Sequence, residues 1–142
     1  MLARSGLNVH AWDISRVAIE KLDQYAQQKR LDITIRQCDV EKTPPGARQF
    51  DVVVVSFFLH RPIMSAIIDS VKPGGLLLYQ TFTREKVSQQ GPTNPDYLLA
   101  KNELLAMCQG MDILVYREEG QQGDVLLGWR NQAMVVARQN KS

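Results

Sequence analysis

Two carboxylates, Asp13 and Asp39, carry the clearest chemistry in this sequence. Each follows a short run with strand character: Leu7–Trp12 before Asp13, and Asp32–Gln37 before Cys38-Asp39. If both runs are strands of one parallel sheet, both acids lie on its carboxyl rim, where open α/β sheets bind their ligands. One carboxylate can accept from the hydroxyls of a ribose, and the other from the exocyclic amine of an adenine. Their apolar neighbours Ile14 and Val40 can sandwich the ring. The plainer reading is that an acid at a strand end caps a helix or sits in a loop, as Asp39-Val40-Glu41 would on its own.

His60 is the candidate catalytic group. It lies just past the valine-rich run Phe50–Phe57 (FDVVVVSF). An imidazole titrates near neutrality, so it can deprotonate or orient a substrate; the simpler alternative is a histidine that starts a helix or sits in a loop. Arg61 offers charge to an anionic substrate, although a solvated arginine is the default. His10 reads as a strand position, Tyr79 and Trp12 as core, and Trp129 has no assignment. Cys38 and Cys108 stand far apart with no CxxC pair, so they read as buried thiols in a reducing compartment, and no metal site is expected.

These groups need elements to position them. Met1–Ser5 reads as the last turn of a helix, with Gly6 capping it in a left-handed conformation. Leu7–Trp12 is a strand ending at Asp13, and Ser15 caps a helix to Lys29 whose apolar positions are Val17, Ala18, Leu22, Tyr25 and Ala26. Asp32–Gln37 alternates as a strand, and Glu41–Arg48 with its Pro44-Pro45-Gly46 is a loop. The unbroken apolar character of Phe50–Phe57 suits a strand buried on both faces of a parallel sheet. A helix over Pro62–Val71 ends at Lys72-Pro73-Gly74-Gly75, which turns the chain into a buried strand at Leu76–Thr83. Arg84–Tyr97 is a long polar loop, of the kind that serves as a functional lid or a flexible segment. Leu98–Met107 is a helix. Met111–Glu118 and Gln132–Arg138 form an antiparallel hairpin joined through Gly120, Gly123 and Gly128. Strands alternating with helices give an α/β fold with a parallel sheet covered on both faces.

One part of a nucleotide-binding sheet is missing from this order. The glycine-rich turn that cradles the cofactor belongs about 20 residues ahead of the ribose-binding acid, and the sequence reaches Asp13 too soon to contain it. The chain reads as a single domain over residues 1–142 without the first strand and its glycine loop, and Met1 as an internal methionine of a longer frame. Loss of that strand would leave two sheet edges with unpaired N–H and C=O groups, open to closure, to a second copy of the chain, or to poor stability.

Composition narrows the rest. At 142 residues, 44% hydrophobic and 23% charged, this is an ordinary globular chain long enough for a core. A net charge of +2 without a Lys/Arg stripe argues against a nucleic-acid partner. No apolar run approaches the roughly 20 residues that span a bilayer and no signal peptide is visible, so no membrane partner and a cytoplasmic location are expected.

The motifs NVHAWDIS at 8–15, CDVEK at 38–42, FDVVVVSFFLHR at 50–61 and VKPGGLLLYQTF at 71–82, taken in order, resemble the class I S-adenosylmethionine-dependent methyltransferases. The AWD tripeptide and GPTNPDYLLAKNELL at 91–105 resemble the small-molecule branch related to tellurite-resistance methyltransferases. The resemblance implies a Rossmann-like methyltransferase sheet, mostly parallel, whose last strand is inserted antiparallel. It implies S-adenosyl-L-methionine as cofactor, with Asp13 on the ribose, Asp39 on the adenine amine, Ile14 and Val40 on the ring, and Ser56 and Phe57 near the methionine portion and the departing methyl. Residues 56–59 lack the Asn/Asp-Pro-Pro-Tyr/Phe pattern of many nucleic-acid amino-methyltransferases, which favours a small-molecule methyl acceptor.

The leading expectation is methyl transfer to a small molecule, impaired in this chain for want of the glycine-rich loop. The alternatives are another nucleotide-binding enzyme of the NAD type, or a non-catalytic methyltransferase-like module that binds partners through its sheet edges.

Overall fold

A computed structural model describes residues 1–141 of the chain. The backbone divides into two compact units, Met1–Pro44 and Pro45–Ser142.

In the first unit, a 3-10 turn at Leu2–Ser5 ends on Gly6, whose φ of 79° is left-handed as expected for a glycine cap. Strand β1 (Val9–Asp13), helix α1 (Arg16–Lys29) and strand β2 (Ile33–Gln37) follow. β1 and β2 pair in parallel, with Val9 opposite Ile33 and Asp13 opposite Gln37. Ser15 starts α1 as its sequence position suggested, its side chain accepting from the Ala18 amide at 3.3 Å. Ala18, Ile19, Leu22 and Ala26 turn away from solvent, whereas Val17 and Tyr25 are exposed. The inward stripe is thus rotated from the expected one, gaining Ile19 and losing Val17 and Tyr25.

The second unit is built on one four-stranded sheet. Its strands are β3 (Phe50–Ser56), β4 (Val71–Phe82), β5 (Asp112–Glu118) and β6 (Gln132–Arg138), in spatial order β3-β4-β6-β5. β3 and β4 are parallel, and β6 runs antiparallel to both of its neighbours. The C-terminal hairpin therefore forms, with its second strand inserted between β4 and β5. Leu77, Tyr79 and Thr81 of β4 lie opposite Ala137, Val135 and Ala133 of β6. All six are withdrawn from water, the alanines giving room beside the larger side chains. Helices α2 (Met64–Asp69) and α3 (Glu103–Met107) add buried Met64, Ile67 and Leu104, and Cys108 follows at the end of α3. Both cysteines are free and buried, as their spacing suggested. No helix among the described residues is long and apolar enough to cross a membrane.

Three local expectations are corrected. The helix expected over Leu98–Met107 is only Glu103–Met107, because Leu98 and Leu99 are extended. Leu99 bridges Thr83 and exchanges backbone hydrogen bonds at 2.9 Å with Phe82 and Arg84. Asn102 then takes a left-handed φ of 60°, its amide bound to Glu118 Oε2 at 3.0 Å, and α3 can start only after it. Second, β4 begins at Val71, opposite Phe50, but the register shifts before Val52 meets Leu76, so Lys72–Gly75 bulges out between the two pairs instead of ending the helix ahead of a separate strand. Gly75 is required there: a Cβ would stand 2.7 Å from the Asp51 carbonyl oxygen. Third, β3 is not buried on both faces. It is an edge strand paired with β4 alone among the described residues, and Val54 is 51% exposed. A valine run signals strand, but whether that strand is flanked on both sides depends on the rest of the sheet.

Candidate active site

Each unit holds part of the expected constellation. In the first, parallel pairing of β1 and β2 brings Asp13 to the carboxyl end of one strand and Gln37-Cys38-Asp39 to the carboxyl end of the other. The Cys38 amide donates to the Asp13 carbonyl at 2.9 Å, extending the ladder one residue further. Gln37 Nε2 donates to the Ile14 carbonyl at 3.1 Å and holds the turn after β1 in place. Asp13 Oδ1 accepts from the Ser15 amide at 2.7 Å. Asp39 Oδ1 accepts from the Glu41 amide at 3.1 Å, and its Oδ2 lies 3.3 Å from Lys42 Nζ. Each acid thus also makes the local turn or cap contact that the plainer reading foresaw. Ile14 is 63% exposed, an unusual position for an isoleucine with nothing to cover it. Val40 is half-buried.

The second unit carries Ser56, Phe57 and His60. Ser56 closes β3, exposed, its hydroxyl accepting from Gln80 Nε2 at 3.0 Å. Phe57 extends the ladder through its amide, which donates to the Gln80 carbonyl at 2.9 Å. It does so with a left-handed φ of 55°, costly for a bulky side chain. His60 is extended, half-buried, and opens the 3-10 turn Arg61–Ile63, its carbonyl accepting from the Ile63 amide at 3.2 Å.

Arg61 does not point its charge at a substrate. Its Nε and one terminal nitrogen hold the Glu103 carboxylate at 2.6 and 2.9 Å, and the guanidinium also donates to the Asp96 and Leu98 carbonyls at 2.7 and 3.1 Å. This pairing pulls the Glu103 carboxyl below its ordinary range and raises the Arg61 guanidinium further. Tyr79 is core, as read from sequence: its hydroxyl donates to the Phe58 carbonyl at 2.6 Å, and burial pushes its ionisation up.

Several structuring residues have no motif to announce them. Phe82 stacks on Phe57 with ring centroids 5.0 Å apart, and Lys86 Nζ lies 5.9 Å from the Phe82 centroid. Gly91 presses on the same ring: a Cβ there would come within 2.6 Å of it. Asn131 is buried, with a left-handed φ of 62°. Its amide accepts from the Val87 backbone and donates to Ser88 Oγ, both at 2.7 Å. The segment after β4 is therefore tied down at Asn131 and at Arg61. In sequence, Gly91-Pro92 and Asn94-Pro95 signalled only a loop.

A methyltransferase-domain family profile matches residues 1–75. The chain belongs to that family. Among solved structures, TehB from Haemophilus influenzae superposes on this methyltransferase domain with a TM-score of 0.74 at 21% identity, covering 97% of this chain and 52% of TehB. The N-methyltransferase NodS from Bradyrhizobium japonicum gives 0.67 at 15% identity, covering 94% and 74%. The [4+2]-cyclase SpnF gives 0.72 at 15% identity, covering 99% and 69%. The chain thus spans about half the length of TehB. Among curated sequences, none matches significantly. These likenesses support the Rossmann-like fold, and a cyclase among them shows that the fold does not by itself dictate the reaction.

Proposed function

We propose that this methyltransferase domain binds S-adenosyl-L-methionine and transfers its methyl group to a small-molecule acceptor. The observation that carries the reading is the in-register pairing of β1 with β2, which puts Asp13 and Asp39 at the ends of neighbouring parallel strands. The residues there suit an adenosine. Asp13 is exposed and has a second carboxylate oxygen to accept from ribose hydroxyls. Asp39 is engaged by Lys42, but that ion pair spans three residues with a largely exposed lysine. Such a pair is worth about 0–1 kcal/mol and gives way readily to a better donor. Ile14 gains from covering an apolar ring, since each Å² of apolar surface removed from water contributes about 25 cal/mol.

When bound, this cofactor supplies a methyl group already activated by a sulfonium centre. The task left to the protein is alignment, and holding two reactants in line contributes up to about 7–11 kcal/mol. Ser56, Phe57 and His60 follow one another at the end of β3, the group assigned to the reacting end of the site. His60 is the group assigned to take or orient a proton of the acceptor; a soft anionic acceptor would not need it.

A glycine-rich loop ahead of β1 is not among these 142 residues, so binding measured on them reports the adenosine side and is expected to be weak. Calorimetry with S-adenosyl-L-methionine on this chain, on a form extended upstream, and on Asp13→Asn and Asp39→Asn in each is the test. Expected are tighter binding by the extended form and a loss of roughly ten- to 150-fold for either substitution, since one hydrogen bond to a charged group contributes about 1.5–3 kcal/mol. Affinity for NAD(H) with none for S-adenosyl-L-methionine in either form would overturn the reading.

A further inference from the structure

We propose that the exposed face of Phe57 is a stacking platform for a planar, aromatic methyl acceptor that carries an anionic group. The inference rests on the methyl-transfer reading only for the word acceptor; the binding site itself stands on the second unit alone.

Phe57 combines three properties that folding does not explain together. Its backbone is left-handed, a conformation that a bulky residue adopts only when its surroundings enforce it. Its side chain is 54% exposed, so burial does not repay that strain. Yet the ring is not loose, because it stacks on Phe82 at a 29° interplanar angle. Phe82 is fixed in turn by Gly91, whose lack of a side chain lets the backbone rest against the ring. The outcome is a flat aromatic surface presented to solvent at the carboxyl end of β3. Offset stacking of a second ring is the interaction such a surface offers best.

Charge narrows the ligand class. Lys86 is held beside Phe82 by donating its ammonium to the Pro92 carbonyl, with its Nζ 5.9 Å from the ring centroid. A cation beside the stack favours a ring bearing a carboxylate or an ionised hydroxyl over a neutral one. No cation-binding role fits as well, since Lys86 already supplies a positive charge at the aromatic pair.

The test needs no turnover. Binding of benzoate, cyclohexanecarboxylate and benzyl alcohol to the 142-residue chain is followed by NMR, with and without S-adenosyl-L-methionine. Benzoate is expected to perturb Phe57 and Phe82 and to bind roughly two- to tenfold more tightly than the equally charged but non-planar cyclohexanecarboxylate, the range stacking supplies. Phe57→Gly removes the ring and relieves the left-handed strain, so it should fold at least as well while losing the benzoate preference. Lys86→Gln should retain the preference for a planar ring and lose that for benzoate over benzyl alcohol. Equal binding of benzoate and cyclohexanecarboxylate, or undiminished benzoate binding by Phe57→Gly, would overturn the platform. If benzoate binds at Phe57 while neither this chain nor its extended form binds S-adenosyl-L-methionine, the aromatic site stands and the methyl-transfer reading fails. If the cofactor binds and benzoate does not, the platform alone fails.

Discussion

Arg61 and Glu103 meet side-on, two guanidinium nitrogens 2.6 and 2.9 Å from the two carboxylate oxygens, across 42 residues of sequence. The same carboxylate accepts from the Ala100 amide at 2.7 Å, and the same guanidinium from its other side binds two carbonyls of the segment 96–98. One bidentate pair thereby fixes both the start of α3 and the extended stretch that precedes it. Planar, two-pronged pairing of this kind is specific to arginine.

Glu103→Gln is therefore expected to lower unfolding free energy by about 1–2 kcal/mol at neutral pH, toward the lower end for hydrogen bonds to charged groups because the pair is partly solvated. Arg61→Lys should not restore the loss produced by Arg61→Ala. The folded carboxyl of Glu103 lies below its ordinary value of 4.5. Its contribution is thus fully present above that value and is lost as pH falls through the depressed folded value. Urea denaturation across this range should show wild type and Glu103→Gln converging in acid, and a constant difference would refute the assignment.

Asn131→Ala should cost about 1–2 kcal/mol, since it strands the part-buried Val87 amide and removes the partner of Ser88. Asn131→Asp keeps an acceptor for Val87 but loses the donor, and should fall between. Hydrogen exchange at the Val87 amide is the direct readout. Unchanged protection in Asn131→Ala would mean that the segment is held by something else.

Cys108 should resist thiol reagents in the native protein. Burial pushes its thiol up to about 11, leaving a thiolate fraction of about 0.1% at pH 8. Titration with a chromogenic disulfide should give slow modification when native and complete reaction of both cysteines in denaturant. Fast native labelling of Cys108 would show that α3 opens readily.

Val54→Lys should reduce self-association. Among the described residues β3 pairs with β4 alone, and the strand itself carries valine at positions 52–55 with Asp51 as its one charged residue, the pattern that natural edge strands avoid by placing lysine there. Light scattering as a function of concentration compares the two proteins. A wild type that stays monomeric throughout would remove the premise.

The strands were legible because their residues state both period and partner class: DITIRQ alternates, FDVVVVSF is β-branched, and QAMVVAR matches the observed β6 to the residue. Asp13 and Asp39 were legible as rim residues because they end two such runs. The start of α3 was not. Leu98-Leu99 has helical composition, and only pairing with Thr83 and Arg84, set by tertiary contact, draws it into extended form. The Phe57–Phe82 stack was equally silent, because 25 residues separate two aromatics that meet only once β3 and β4 align in parallel.

The position of β6 bears on how the chain acquires its structure. β5 bonds to no strand but β6 among the described residues, and β4 meets β5 only through it. As the protein is synthesised, β5 emerges with no ladder to join, and the edge of β4 that will pair with Ala133, Val135 and Ala137 stays open until β6 leaves the ribosome. Pairings between distant segments form slowly, and such half-made sheets are what chaperones meet. A nascent chain stalled before residue 132 should therefore remain protease-sensitive across β4 and β5, gaining resistance in one step as β6 is released.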